Sequence, residues 1–158
     1  MKYLIKTQKA IVFFSSIIVV LFLCLSVFFR YILKVDFFGI EELIIIPVFL
    51  LYFIGASLGS YENSHIGADI LETFIKSKKV MNWIKLLTLS ITSIVSFMFT
   101  LWAWEYFLFS VNSMEKTPGW QIPLLFPNGI VLIGFILMTL FSLIHTYSQI
   151  KKIKEFDS

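Results

Sequence analysis

Residues 10–29 read AIVFFSSIIVVLFLCLSVFF, twenty positions without an Asp, Glu, Lys or Arg. An α-helix rises about 1.5 Å per residue, so such a stretch is about 30 Å long, the thickness of a bilayer's hydrocarbon core. Fifteen of the twenty are Leu, Ile, Val or Phe, each worth roughly −0.3 to −0.6 kcal/mol near mid-membrane. Insertion as a helix is strongly favoured. The run is longer than the apolar core of a secretory signal, and Phe28-Phe29-Arg30-Tyr31 follows it in place of a small-residue cleavage site. It reads as an uncleaved anchor. Three more uncharged stretches follow, at 43–61, 86–104 and 124–144. The chain is therefore expected to be an all-α integral membrane protein, one four-span domain over residues 1–158, without repeats or a low-complexity tail.

Composition agrees. Hydrophobic residues make up 58% of the chain, with 18 Phe, well above soluble globular usage. The net charge of +3 matters less than its distribution. Lys2, Lys6, Lys9, the four lysines between spans two and three, and Lys151, Lys152 and Lys154 stand on one side. Arg30, Lys34 and Lys116 stand on the other. Ten against three places both termini in the cytoplasm by the positive-inside rule. The loops after spans one and three then face outward. These basic flanks suit lipid headgroups, and nothing in them supports nucleic-acid binding.

The segment between spans two and three carries its own pattern. Ile66, Ile70, Leu71, Phe74 and Ile75 share one helical face, and Asp69, Glu72, Thr73 and Lys76 the other. Residues 64–76 are expected to form a short amphipathic helix on the cytoplasmic membrane surface, with His65 and Asp69 paired at i, i+4.

Several positions inside the spans carry structural information. Gly55 and Gly59 form a small-xxx-small motif with Ala56 and Ser60 beside it, a pattern that permits close helix approach in lipid. Glu41 and Glu42 sit at the outer N-terminus of span two, where negative charge suits the helix dipole. Pro47 lies a turn or two later, where it is either harmless or bends the helix. Thr88, Thr92 and Ser96 recur every four residues, with Ser93 and Thr100 near them; such a stripe packs helices more often than it lines a pore. Glu105 is expected to open the third loop. Pro123, Pro127 and Gly129 mark an irregular entry to span four.

The spans hold no ionisable Asp, Glu, Lys or Arg with which to bind an ion or a carboxylate. A drug/proton antiporter needs an acid in span one. A quinone-linked disulfide enzyme needs paired cysteines, and Cys24 is alone. A haem anchor needs paired histidines, and His65 and His145 are the only two. Neighbouring Glu41 and Glu42 point about 100° apart on a helix and make a poor acid pair. No phosphate loop, dinucleotide fingerprint or serine elbow is present. No catalytic, metal or cofactor site is expected.

Arg30-Tyr31, Glu41-Glu42-Leu43, Gly55-Ala56 and His65-Ile66-Gly67-Ala68-Asp69, with Ile122-Pro123 and Pro127-x-Gly129 at the entry to span four, together resemble a known family. It is the small membrane subunit (DctQ-like) of tripartite ATP-independent periplasmic (TRAP) transporters. The resemblance covers roughly residues 10–147. Two positions depart from it. Gly39-Ile40 stands where a tryptophan often precedes the Glu pair, and Leu43 to Ile46 are aliphatic where an arginine is common.

The resemblance implies an accessory scaffold, without cofactor, in the bacterial inner membrane. It implies a heterodimer with a large membrane subunit that holds the substrate and sodium sites, and a periplasmic substrate-binding protein that delivers organic acids such as dicarboxylates or sialic acid. Arg30, Lys34, Asp36, Glu115 and Lys116 form a mixed-charge outer face, which either docks that soluble partner or only anchors helix ends. The other reading is an accessory four-helix subunit of an unrelated membrane complex.

Overall fold

The structure, a computed structural model, describes residues 2–34, 39–62 and 78–157. The expected surface helix over 64–76, with His65 and Asp69, lies outside the described residues, as does Asp36 between spans one and two. Helix α1 spans Lys2–Phe28 and widens into a π-helical turn over Phe29–Leu33. Lys34 closes it in the left-handed conformation (φ 54°), its N–H bonded to the Phe29 carbonyl. The second span comprises α2 (Ile40–Phe49), a π turn (Leu50–Ile54) and α3 (Gly55–Glu62). Then come α4 (Lys78–Ser113) and α5 (Leu125–Asp157). Four continuous helical segments among the described residues are thus long and apolar enough to cross a membrane. Among the described residues the protein is all-α, apart from one isolated bridge between Lys116 and Pro123.

The last two helices outrun their apolar stretches. α4 continues past Trp104 to Ser113, so Glu105 is helical and does not open the loop. α5 continues past Ile144 to Asp157. Hydropathy marks where lipid is; the backbone hydrogen-bond ladder carries on into polar surroundings wherever the residues are good helix formers. Pro47 is buried within α2, and the helix runs through it to the π turn that begins at Leu50. Pro127 sits in the first turn of α5, where its missing N–H costs nothing.

Helix neighbours form an open row. Among the described residues α1 lies against span two alone, span two against α1 and α5, and α5 against span two and α4. The inner position of α5 shows in its burial: 28% of its most apolar window is enclosed, against 11% for α1. At the centre of the row the span-two π turn crosses α5 at Gly134. A Cβ added there would lie 2.7 Å from the Phe53 Cβ and 3.1 Å from the Phe53 carbonyl oxygen. Phe53 and Phe135 meet edge-on at 5.6 Å, and Phe135 stacks on Phe99 of α4 at 5.4 Å. Three helices are joined through those rings, an arrangement that adds to area burial.

Polarity is inverted relative to a soluble core. Ser57, Ser142, Ser110 and Gln8 are buried, whereas Phe13 and Phe14 are more than half exposed. Lipid removes the hydrophobic drive for helix association, leaving packing and interhelical hydrogen bonds. The α4–α5 contact shows it. Asn128 Nδ2 donates to Ser110 Oγ at 3.0 Å near the end where α4 and α5 are connected. Thr100 and Thr139 hydroxyls meet at 2.9 Å. Ser93 Oγ reaches Ser142 at 2.7 Å and Thr146 at 3.0 Å, and Gln149 Nε2 donates to the Asn82 carbonyl at 3.3 Å. Thr88 and Thr92 bond back to the Ile84 and Thr88 carbonyls. The hydroxyl stripe is engaged in packing and in its own helix.

Candidate functional site

The most constrained polar assembly lies outside the apolar stretches, where the α4–α5 connection meets the start of span two. The connection folds back on itself. The Thr117 N–H donates to the Ile122 carbonyl at 3.0 Å, the Leu124 N–H to the Glu115 carbonyl at 3.0 Å, and the Ile122 N–H to the Thr117 hydroxyl at 3.0 Å. Met114 and Gln121 take left-handed backbone angles (φ 48° and 54°) to close it. The tip, Pro118-Gly119-Trp120, leans over Gly39 and Glu42.

Glu42 grips this tip with both carboxylate oxygens. Oε1 accepts the Gly119 N–H and Oε2 the Trp120 N–H, each at 2.7 Å. The neighbouring Thr117 hydroxyl, with the Trp120 and Gly119 N–H groups, favours the ionised form and holds the Glu42 pKa below the usual carboxylate value. Bonds to an ionised acceptor are shorter and stronger than neutral ones. Two glycines make the fit possible. A Cβ on Gly119 would come within 2.8 Å of Glu42 Oε1. Gly39 has φ +99°, and any side chain on it would collide with the Trp120 indole. Trp120 therefore rests on the position before the Glu pair, and Glu42 finds its partners across the molecule and not in its own helix.

The residues expected to form the outer face are differently placed. Arg30 is exposed within the π turn that ends α1, and Lys34 is exposed at its left-handed cap. Glu115 and Lys116 are exposed on the connection. Among the described residues no ion pair joins these four. Glu41 is exposed beside Glu42 and takes no part in the grip.

The remaining motif residues are structural in geometry. A Cβ on Gly55 would meet Val12 Cγ2 at 4.0 Å, an ordinary contact, and Gly59 is half-buried. Gly129 faces Phe107, and buried Pro127 precedes Asn128 in the α5 entry turn. Sequence reasoning missed Thr117, Gly119, Trp120 and Gly134. A Thr-Pro-Gly-Trp turn is legible as a turn, but nothing local announces a carboxylate lying 77 residues away.

At the opposite end of the row, buried Gln8 of α1 donates to Ser57 Oγ at 3.1 Å, and Ser57 passes a bond to the Ile54 carbonyl at 2.8 Å. Lys9 and Glu62 pair at 2.8 Å. His145 Nε2 lies 2.9 Å from the Tyr61 carbonyl; a carbonyl only accepts, so this nitrogen carries the proton. His145 thus ties α5 to the last turn of span two. Among the described residues no group of three His, Cys, Asp or Glu side chains converges to hold a metal. Among the described residues, Glu42, Glu62 and His145 are each engaged with backbone or a neighbouring helix end.

Residues 19–152 match the family described as tripartite ATP-independent periplasmic transporters, DctQ component. The chain belongs to that family. No curated protein and no solved structure matches it significantly. As a DctQ component this protein is a multi-pass small membrane subunit of a TRAP transporter, and its family is a transporter component, not an enzyme. Within the DctQ match fall both the Glu42 grip and the hydroxyl seam between α4 and α5.

Proposed function

We propose that this subunit is the static scaffold of a sodium-coupled importer of organic acids, such as dicarboxylates or sialic acid. It forms a heterodimer with a large membrane subunit, and that partner moves substrate and sodium. The whole chain acts as one domain in the bacterial inner membrane, with both termini cytoplasmic. The observation that carries this reading is the absence of any Asp, Glu, Lys or Arg from the four apolar stretches, where an anion or sodium pathway calls for ionisable or converging polar groups.

The outer face receives the soluble substrate-binding protein. Arg30, Lys34, Asp36, Glu115 and Lys116 supply mixed charge that steers the partner and sets its register. The grip on the 117–120 tip supports this reading, because it holds Glu115 and Lys116 on a fixed platform. Glu41, Gly55, Gly59, His65, Asp69, Pro127 and Gly129 serve the fold.

Reconstitution tests the assignment. The chain alone in liposomes transports no organic acid, and uptake appears when the large subunit and the binding protein are supplied. Robust sodium-dependent uptake by the isolated chain would overturn it.

A further inference from the structure

A polar cleft of ≈ 380 Å³ opens beside α5 where that helix leaves its apolar stretch. Its walls include Leu89 of α4 and His145, Ser148, Lys151, Lys152 and Glu155 of α5. We propose that this cleft is a binding site for the phosphodiester headgroup of an anionic phospholipid.

Three features support that occupant. The first is depth. The cleft begins at His145, directly after the last residue of the apolar stretch, Ile144, so it lies at headgroup level. Its apolar wall, Leu89, is on the membrane side. The second is direction. Side chains of a helix lean toward its N-terminus, and the α5 N-terminus is at the far side of the membrane. Lys151 and Lys152 therefore lean back toward the bilayer, the geometry in which a lysine stem follows apolar surface and its ammonium meets headgroups.

The third feature is charge. Lys151 approaches Glu155 at only 3.9 Å, and Lys152 has no ion-pair partner among the described residues. The cleft thus keeps an uncompensated cation beside the Ser148 hydroxyl. Basic pockets between membrane helices take acidic headgroups, each cation strengthening attraction to an anionic leaflet. Glu155 offsets part of the cleft's positive charge, which suits a singly charged phosphodiester. The leaflet assigned to this lipid rests on the cytoplasmic C-terminus proposed above; binding itself does not, so the two can fail separately.

The test uses the full chain purified in a neutral detergent, titrated with phosphatidylglycerol, phosphatidylcholine or inorganic phosphate and read by native mass spectrometry. Phosphatidylglycerol is expected to be retained about tenfold more tightly than phosphatidylcholine, with no competition from millimolar inorganic phosphate. Lys151→Gln/Lys152→Gln abolishes that preference, while the charge-matched control Lys2→Gln/Lys6→Gln keeps it. Unchanged thermal unfolding of both variants establishes that they fold. Equal loss in the control would reduce the effect to diffuse surface charge and overturn the site. Equal retention of both lipids, or displacement by inorganic phosphate, would overturn it as well.

Discussion

Glu42 holds the backbone of Trp120 at 2.7 Å across 78 positions of chain. The first turn of span two and the connection between α4 and α5 are therefore one structural unit at this end of the row. The order of helices in the row places span two beside α5, and the carboxylate fastens the two where they emerge.

Removing that carboxylate should loosen the outer connection without disturbing the helices. Glu42→Ala is expected to speed hydrogen exchange at the Gly119 and Trp120 amides several-fold while amides in mid-α4 and mid-α5 stay protected. Glu41→Ala, which removes an exposed neighbour, should leave both amides unchanged. Identical exchange in the Glu42 variant would show that the connection stands without the grip.

The centre of the row should be less forgiving than the small-residue motif of span two. Gly134→Ala places a methyl against both the side chain and the carbonyl of Phe53, so backbone must shift. Overpacking of this kind costs about 1–3 kcal/mol. Gly55→Ala adds an ordinary contact to Val12 and should cost nothing measurable. Thermal unfolding of the two variants in one detergent makes the comparison, and equal behaviour would remove the argument for a tight crossing at Gly134.

The seam between α4 and α5 should yield a modest coupling. A double-mutant cycle on Ser93→Ala and Ser142→Ala is expected to return about 0.6 kcal/mol, with an upper bound of about 1.7 kcal/mol, as for other hydrogen bonds between membrane helices. Zero coupling would show that each hydroxyl does as well with its own helix.

Charge reversal at Arg30 and Lys34 tests the outer face. Exposed pairs stabilise a fold by about 0–1 kcal/mol, so assembly with the large subunit should persist. Uptake by the complete transporter should fall, and the defect should shrink at high ionic strength. Unchanged uptake, or loss of assembly, would remove these residues from docking.

Orientation follows from the ten-to-three distribution of Lys and Arg. Reporter fusions at both termini should report cytoplasm, and fusions after Lys34 and Lys116 should report the outside. A periplasmic C-terminus would overturn the topology.

The four spans were legible because hydropathy is a local property: twenty uncharged residues carry their meaning in place. Helix ends were less so, since Glu105 looks like the start of a loop although the helix passes through it. The hydroxyl stripe showed which face of α4 is polar, but spacing alone does not name Ser142, Thr146 and Thr139 as the groups it meets. Gly55 and Gly59 advertised close approach through their spacing. The tight crossing lies at Gly134, which has no small partner four residues away and owes its role to a π turn in another helix. The Glu42 grip was invisible for the same reason: its donors are backbone amides, which every sequence has.

The open row has one more consequence. Helices that stand side by side without the last returning to the first make a wall, and a wall encloses no lumen. Among the described residues any aqueous route through the bilayer must run along one face of this wall, its opposite bank built by another protein. The described helices divide the membrane laterally and enclose no channel among themselves.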